Sequence, residues 1–287
     1  MLHPLFAFRL RPLEDIAPWS GPDGPALNWF GLTDGWFWID AGDSQVFGCE
    51  PDKDEATPLG NVCEYQVARL FDDLTEMAPF VLTEVPQPLH AFFAREAGRS
   101  WQNYREAWWN HIADAPPTAE GDNLLRAASE MRRLRTLDTS YMTASSTTLM
   151  WSFEGQVHIK WENRADVPEG TISSRVIRAA RYLPRECFIA ELRDFCERLC
   201  AAMQERIGRL EANGLATGVR IDVAALAEEQ ERRKRQLDNE LANPRYPYDW
   251  PTVIATIEKL TATGGRLRGS GFHGHPNSGQ YVPGGFT

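Results

Sequence analysis

Leu27-Asn28-Trp29-Phe30-Gly31-Leu32-Thr33-Asp34-Gly35-Trp36-Phe37-Trp38-Ile39-Asp40 is the stretch on which the fold turns. Asp34-Gly35 is a dipeptide suited to the two positive-φ positions of a type I′ turn, so the spacing predicts a β-hairpin over residues 27–40. With those two residues as the loop, Leu32 faces Phe37 and Phe30 faces Ile39 on one side. On the other side Gly31 leaves room for the Trp38 indole. Both faces are apolar, which puts the hairpin inside the molecule, covered on each side.

Upstream, residues 3–10 alternate so that Phe6, Phe8 and Leu10 share one side of a strand. Pro12, Pro18 and Gly21-Pro22-Asp23-Gly24-Pro25 then make a turn-rich connection. Downstream, Val62, Tyr65, Val67, Leu70, Phe71 and Leu74 recur at helical spacing. They predict a helix capped by Asn61, reaching about Met77 and stopped by Pro79. Residues 87–112 are partly helical and carry Trp101, Tyr104, Trp108 and Trp109, and Asp122 to Leu134 reads as a short helix.

A second hairpin is predicted near 148–162. Leu149, Trp151, Phe153, Val157, Ile159 and Trp161 share one parity, whereas Ser152, Glu154, Gln156, His158 and Lys160 share the other, which implies one buried face and one wet face. Keeping apolar residues opposite each other then demands a three-residue loop, Glu154 to Gln156. The longest helix spans about 184–213, striped by Phe188, Leu192, Phe195, Leu199, Met203, Ile207 and Leu210, with Gly214 beyond its end. Val223 to Leu241 reads as a more charged helix, and Asp249 caps a third with Pro251 in its first turn.

The pattern is α+β: an antiparallel sheet of hairpins (about 3–10, 27–40 and 148–162) packed against several helices. No linker-like run precedes residue 261. Residues 1–260 therefore read as one domain, and 261–287 as a Gly/Pro/His-rich, loosely ordered tail.

With 43% hydrophobic and 24% charged residues, the 287-residue chain has a globular composition. Its formal net charge of −10 opposes generic binding to a phosphate backbone and favours a basic partner. No stretch approaches the roughly 18 to 20 apolar residues of a membrane helix, and Met1-Leu2-His3-Pro4-Leu5-Phe6 lacks the basic start of a signal peptide. A cytoplasmic protein with reduced cysteines is expected. Of the five cysteines, Cys196 and Cys200 are four apart on the long helix. No His or Cys pair elsewhere completes a tetrahedral set, so no metal and no cofactor is expected.

The blocks Leu10-Arg11-Pro12-Leu13 and Leu27 to Ile39, then Tyr65, Val67, Arg69, Leu70, Asp73 and Leu74, then Leu137-Asp138-Thr139 with Tyr141, occur in an order that resembles an uncharacterised bacterial family common in actinobacteria. The ribbon ending Val157, Ile159 and Trp161 and the helix with Phe188, Phe195 and Met203 continue the resemblance. It implies a shared fold and carries no activity and no catalytic residue. Small, acidic, Trp-rich members of that family look similar to immunity and antitoxin-like proteins of bacterial conflict systems.

Two groups of residues are candidates for binding. Trp29, Asp34, Trp36 and Trp38 form either an aromatic platform with an acidic tip or simply core indoles beside a turn. Arg69 and Asp73, four apart on one helix face, make either a structural ion pair or, with Tyr65, Asp138 and Tyr141, a polar pocket in which a carboxylate acts as base. No catalytic motif is present: there is no nucleophile elbow, P-loop, dinucleotide fingerprint or His-Glu-x-x-His. His90, His111 and His158 are scattered, with His158 expected on a wet face. The expected function is non-catalytic protein binding, of the kind by which an immunity protein neutralises a toxin. An enzyme or small-ligand sensor built around Arg69, Asp73 and Asp138 is the alternative. Nucleic-acid binding through Arg132, Arg133 and Arg135 conflicts with the overall charge.

Overall fold

The computed structural model describes residues 4–22, 24–40, 45–46, 63–95, 101, 103–106, 108, 119–137, 146–163, 178–213, 219–242 and 248–269. Its first sheet is built on the deciding stretch, but not as a hairpin. Strand β4 (Asp34–Asp40) is central. On one side it pairs antiparallel with β1 (Phe6–Leu10), and on the other with β5 (Gln45–Val46) and β6 (Cys63–Gln66). Opposite Phe37 stands Phe8, opposite Ile39 stands Phe6, and opposite Trp38 stands Ala7.

The predicted partner strand fails for a local reason. The Asn28 Oδ1 accepts the Gly31 N–H at 2.8 Å, Leu32 N donates to Asn28 O, and the Thr33 N–H and hydroxyl both donate to Phe30 O. These side-chain and backbone bonds close Gly31–Thr33 into a 3-10 turn, the competition with strand pairing that Asn and Thr offer. Asp34-Gly35 is accordingly strand, not loop. The tight ribbon lies earlier, where β2 (Trp19–Gly21) pairs with β3 (Gly24–Ala26) and Gly24 takes φ +99°.

Helix α1 (Val67–Leu82) starts later than predicted, because Cys63–Gln66 is strand; Asn61 lies outside the described residues. Its first turn is capped from outside, by the Thr33 hydroxyl accepting Ala68 N–H at 3.0 Å. Pro79 sits within the helix, which ends when Thr83 N–H closes on Phe80 O. Next come α2 (Gln87–Arg95) and α3 (Ala119–Arg133).

The second sheet has the order β10-β9-β8-β7, all antiparallel: β7 (Thr136–Leu137), β8 (Ser146–Phe153), β9 (Gln156–Asn163) and β10 (Arg178–Pro184). Here the hairpin is real but its loop is Glu154-Gly155, with φ of 49° and 72°, and Phe153 pairs with Gln156. The three-residue loop follows from one wholly wet face, whereas here the face of Trp151, His158 and Lys160 is largely covered and is exposed only at Gln156 by the loop and at Tyr182 on β10. Met150, Val157, Ile159 and Trp161 enter the larger core, while Leu149 and Trp151 enter a second core with α2, α3 and the last helix. Core on both sides removes the parity conflict, and two positive-φ residues suit the twist of the strands.

Long helix α4 (Arg185–Asn213) closes the larger core as predicted. All seven stripe residues from Phe188 to Leu210 are buried, and Phe188 and Phe195 meet Phe6 and Phe8 ring to ring. Cys196 and Cys200 are buried on its flank. The charged helix predicted over 223–241 is two, α5 (Val223–Lys234) and α6 (Gln236–Ala242), which part at Arg235. Leu237 packs inward and Gln236 donates to the Thr75 hydroxyl on α1, so the second piece follows α1 and not the first axis. Asp249 caps α7 (Trp250–Gly269) as expected, accepting from the Thr252 N–H and hydroxyl. That helix runs through the start of the segment read as tail. Among the described residues no helix is long and apolar enough to cross a membrane.

Candidate functional site

The candidate residues on the first sheet do not share one platform. Trp29 is 2% exposed, and its indole N–H donates to Gln230 Oε1 at 2.8 Å. Gln230 in turn donates to Cys200 O, so Trp29 ties α5 and α4 together from inside the core. Trp36 is buried beneath the Arg11 guanidinium, which lies 4.8 Å over its ring. Arg11 also pairs with Asp34 at 2.9 Å and with Glu64, so the supposed acidic tip is one arm of a three-member bridge across β1, β4 and β6. Trp38 is half-buried on the same strand, and Tyr65 stands opposite Gly35 on β6. The buried Arg206 guanidinium joins this seam from α4, donating to the carbonyls of Leu32 and Arg11; burial lowers its pKa to about 10.

Arg69 and Asp73 do pair along α1, at 3.2 Å. Asp138 and Tyr141, the proposed remainder of that pocket, lie outside the described residues. The carboxylate beside them on α1, Asp72, is engaged by Arg233 of α5 at 2.6 Å. Arg233 also reaches Glu229 at 2.7 Å and lies 4.3 Å over the Trp29 ring. Burial acts to raise the Glu229 pKa, but hydrogen bonds from Arg232 and Arg233 outweigh it and hold that carboxyl below its ordinary value. Charged side chains here lock α5 onto α1 over the Trp29 ring.

The sequence reasoning missed a different constellation on the second sheet. Tyr182, His158 and Trp151 stand opposite one another across β10, β9 and β8. His158 stacks on Trp151 with ring centroids 5.0 Å apart. His90 of α2 stacks on Phe153 at 4.0 Å, sits 5.0 Å from His158, and accepts the Trp151 indole N–H on Nδ1 at 3.2 Å. Lys160, next on the same face, donates to the carbonyls of Phe93 and Ala94 and so caps the end of α2. Tyr182 leaves this row 67% exposed. The signal was the Glu-Gly loop: taken as two residues, it puts His158 opposite Trp151 by register alone. No third His, Cys, Asp or Glu joins the two imidazoles as a metal-binding group among the described residues.

Burial first, and the neighbouring His90 second, lower the His158 pKa below its ordinary value. The unfolded chain therefore takes up this proton at higher pH than the folded one. The associated stability is present above about pH 6.5 and declines as pH falls through the lower, folded value. We expect the urea midpoint to drop between pH 7.5 and pH 5.5, and His158→Gln to flatten that drop. An equal drop in the variant would assign the pH dependence elsewhere.

Arg132, Arg133 and Arg135 do not make a basic patch. Arg135 is fully buried, and Arg132 packs over Trp101 with burial lowering its pKa to about 10.

The outward side of α4 is different in kind. Glu186, Ile189, Ala190, Arg193, Asp194 and Glu197 line an open groove of about 490 Å³, with three carboxylates and one guanidinium around an apolar floor. Arg193 reaches Asp238 of α6 at 3.3 Å and Asp194 reaches Arg198 at 2.7 Å, so both rims are anchored at the surface.

Two four-stranded antiparallel sheets and the small β2–β3 ribbon, packed with helices α1 to α7, with ion-pair seams inside and an acidic groove outside, define an α+β protein. Residues 5–256 match a family described as "Family of unknown function (DUF5984)", and the chain belongs to that family. No curated protein and no solved structure matches it.

Proposed function

We propose that this chain is a non-catalytic, cytoplasmic protein that binds a basic protein partner, in the manner of an immunity protein neutralising a toxin. The observation that carries this reading is the α4 groove: carboxylates of Glu186, Asp194 and Glu197 surround Ile189 and Ala190. An acidic rim around an apolar floor suits a basic, amphipathic segment of another protein, since charge complementarity steers the encounter and apolar contact holds it. The net charge of −10 acts in the same direction at longer range.

The test is co-expression with the product of the adjacent reading frame, followed by affinity capture and a growth assay for protection. Capture should weaken as salt rises. Glu186→Lys with Glu197→Lys should weaken it by about tenfold or more, because a buried or rim charge reversed against a basic partner repels. Circular dichroism and the melting temperature of the variant should match the parent. A neighbour that is neither captured nor neutralised overturns the role, and capture unchanged in the double variant overturns the surface.

A further inference from the structure

Trp151 is 2% exposed, and an indole N–H can only donate. It donates to Nδ1 of His90 at 3.2 Å, so that nitrogen carries the lone pair and the neutral ring holds its proton on Nε2. The bond ties β8 to α2 near the start of the helix. At the helix end, Lys160 of β9 makes a second tie, to the carbonyls of Phe93 and Ala94. Between the two, Leu89, Phe92 and Phe93 share the second core with Trp151, and the Phe93 ring stands 5.5 Å from the indole.

Protonation of His90 at Nδ1 turns the acceptor into a second donor aimed at the first. The indole N–H is then unpaired in an apolar site, where water does not replace the lost bond. The surrounding charges do not help. His158 of β9 lies 5.0 Å from His90, ring to ring, and Lys160 follows His158 on the same face of that strand. From β10 the facing group is Tyr182. Glu84, between α1 and α2, is exposed and accepts the Gly155 N–H, while Glu154 in the turn, Arg185 beside it and Arg95 at the end of α2 are exposed. Among the described residues no Asp, Glu or Cys groups with the two histidines. A proton arriving at one imidazole therefore meets a second imidazole and a lysine, without a counter-charge. Burial first and His90 second already lower the pKa of His158. A charged ring can still stack on Phe153 or Trp151. What it cannot do is accept the indole N–H.

We propose that the His90–Trp151 hydrogen bond is a pH-sensitive latch, and that acid releases α2 from the second sheet as a local opening while the larger core stays closed. Such an opening uncovers the apolar face of α2 and the Trp151 indole together. The latch is independent of the α4 groove and of the partner proposed there. It differs from a general loss of stability in acid, which would loosen every element at once. It also differs from apolar docking alone, in which Leu89, Phe92 and Phe93 hold α2 whatever the state of His90.

Hydrogen exchange of the full-length protein, read by mass spectrometry at pH 7.5, 6.5 and 5.5 and corrected for the intrinsic pH dependence of amide exchange, separates these accounts. The expected result is a loss of protection of about tenfold across Gln87–Arg95 between pH 7.5 and 5.5, with Arg185–Asn213 retaining its protection. His90→Asn places a carbonyl oxygen where Nδ1 stood and does not titrate, so α2 should stay protected at both pH values. His90→Leu removes the acceptor, and α2 should be poorly protected at both. His158→Gln leaves the Trp151 bond and removes one of the two charges, so the drop should shrink without vanishing. If His90→Leu does not fold, the comparison of His90→Asn with the parent carries the test. Loss of protection in α2 and α4 together, no loss in the parent, or the same loss in His90→Asn overturns the latch.

Discussion

Gly35→Ala is expected to cost about 3 kcal/mol, the upper end for forcing one extra carbon into a packed interior, and Gly35→Val is expected to leave no folded protein. A Cβ built on Gly35 would sit 2.3 Å from Arg9 O and 2.9 Å from Leu10 Cα. Both are backbone atoms of β1, so no side chain can swing aside to admit it. Relief requires moving β1 away from β4, and Gly35 is paired with Leu10 on one side and Tyr65 on the other. The strand would have to give way in the middle of the first sheet, above Phe6 and Phe37 in the larger core.

Conformational freedom is not the issue at Gly35, since it lies in extended backbone. Gly208, exposed on α4 with open space around its Cα, supplies the contrast. Gly208→Ala should stabilise by about 0.5–1 kcal/mol through helix propensity. Urea unfolding followed by circular dichroism reads both changes. A Gly35→Ala midpoint equal to that of the parent would mean that β1 does not approach β4 there.

The same glycine shows what was legible in the sequence and what was not. Asp-Gly between aromatic runs is a strong turn signal, and in isolation the reading was sound. It failed on two counts: Asn28 and Phe30 accept the bonds that close Gly31–Thr33 into a 3-10 turn, and β1, more than twenty residues upstream, pairs with β4 where Gly35 admits its close approach. The strand at 3–10 and the long helix were readable because each depends on its own periodicity. Parity also identified the second hairpin. Its loop length was misjudged, since whether a face is wet depends on α2, α3 and α7, which the hairpin itself does not encode. The Arg69–Asp73 pair was visible as an i,i+4 spacing. The partner that dominates α1, Arg233, lies 161 residues from Asp72, and no local pattern announces it.

That long-range pair carries the other large effect. Arg233 is 7% exposed at its side chain, whereas Asp72 and Glu229 are 28% and 25% exposed. The asymmetry decides which deletion hurts. Removing the carboxylate charges, by Asp72→Asn with Glu229→Gln, strands a guanidinium that water cannot reach, and should cost about 3–5 kcal/mol. Arg233→Met removes the cation and keeps the volume under Trp29. The carboxylates it leaves can rehydrate through their exposed quarter, so the loss should be smaller, about 2 kcal/mol including the cation–π contact.

The triple variant should then be more stable than the carboxylate double, because it no longer buries an uncompensated charge. Acid provides a second readout. Glu229 is held below its ordinary pKa in the fold, so its contribution is present above about pH 4.5 and is lost as pH falls through the folded value. Arg233→Met should shrink that acid limb. If the triple variant is no better than the double, and the acid limb is unchanged, the packing of α5 and α6 against α1 rests on Leu226, Leu237 and their apolar neighbours, and the ion pair merely accompanies it.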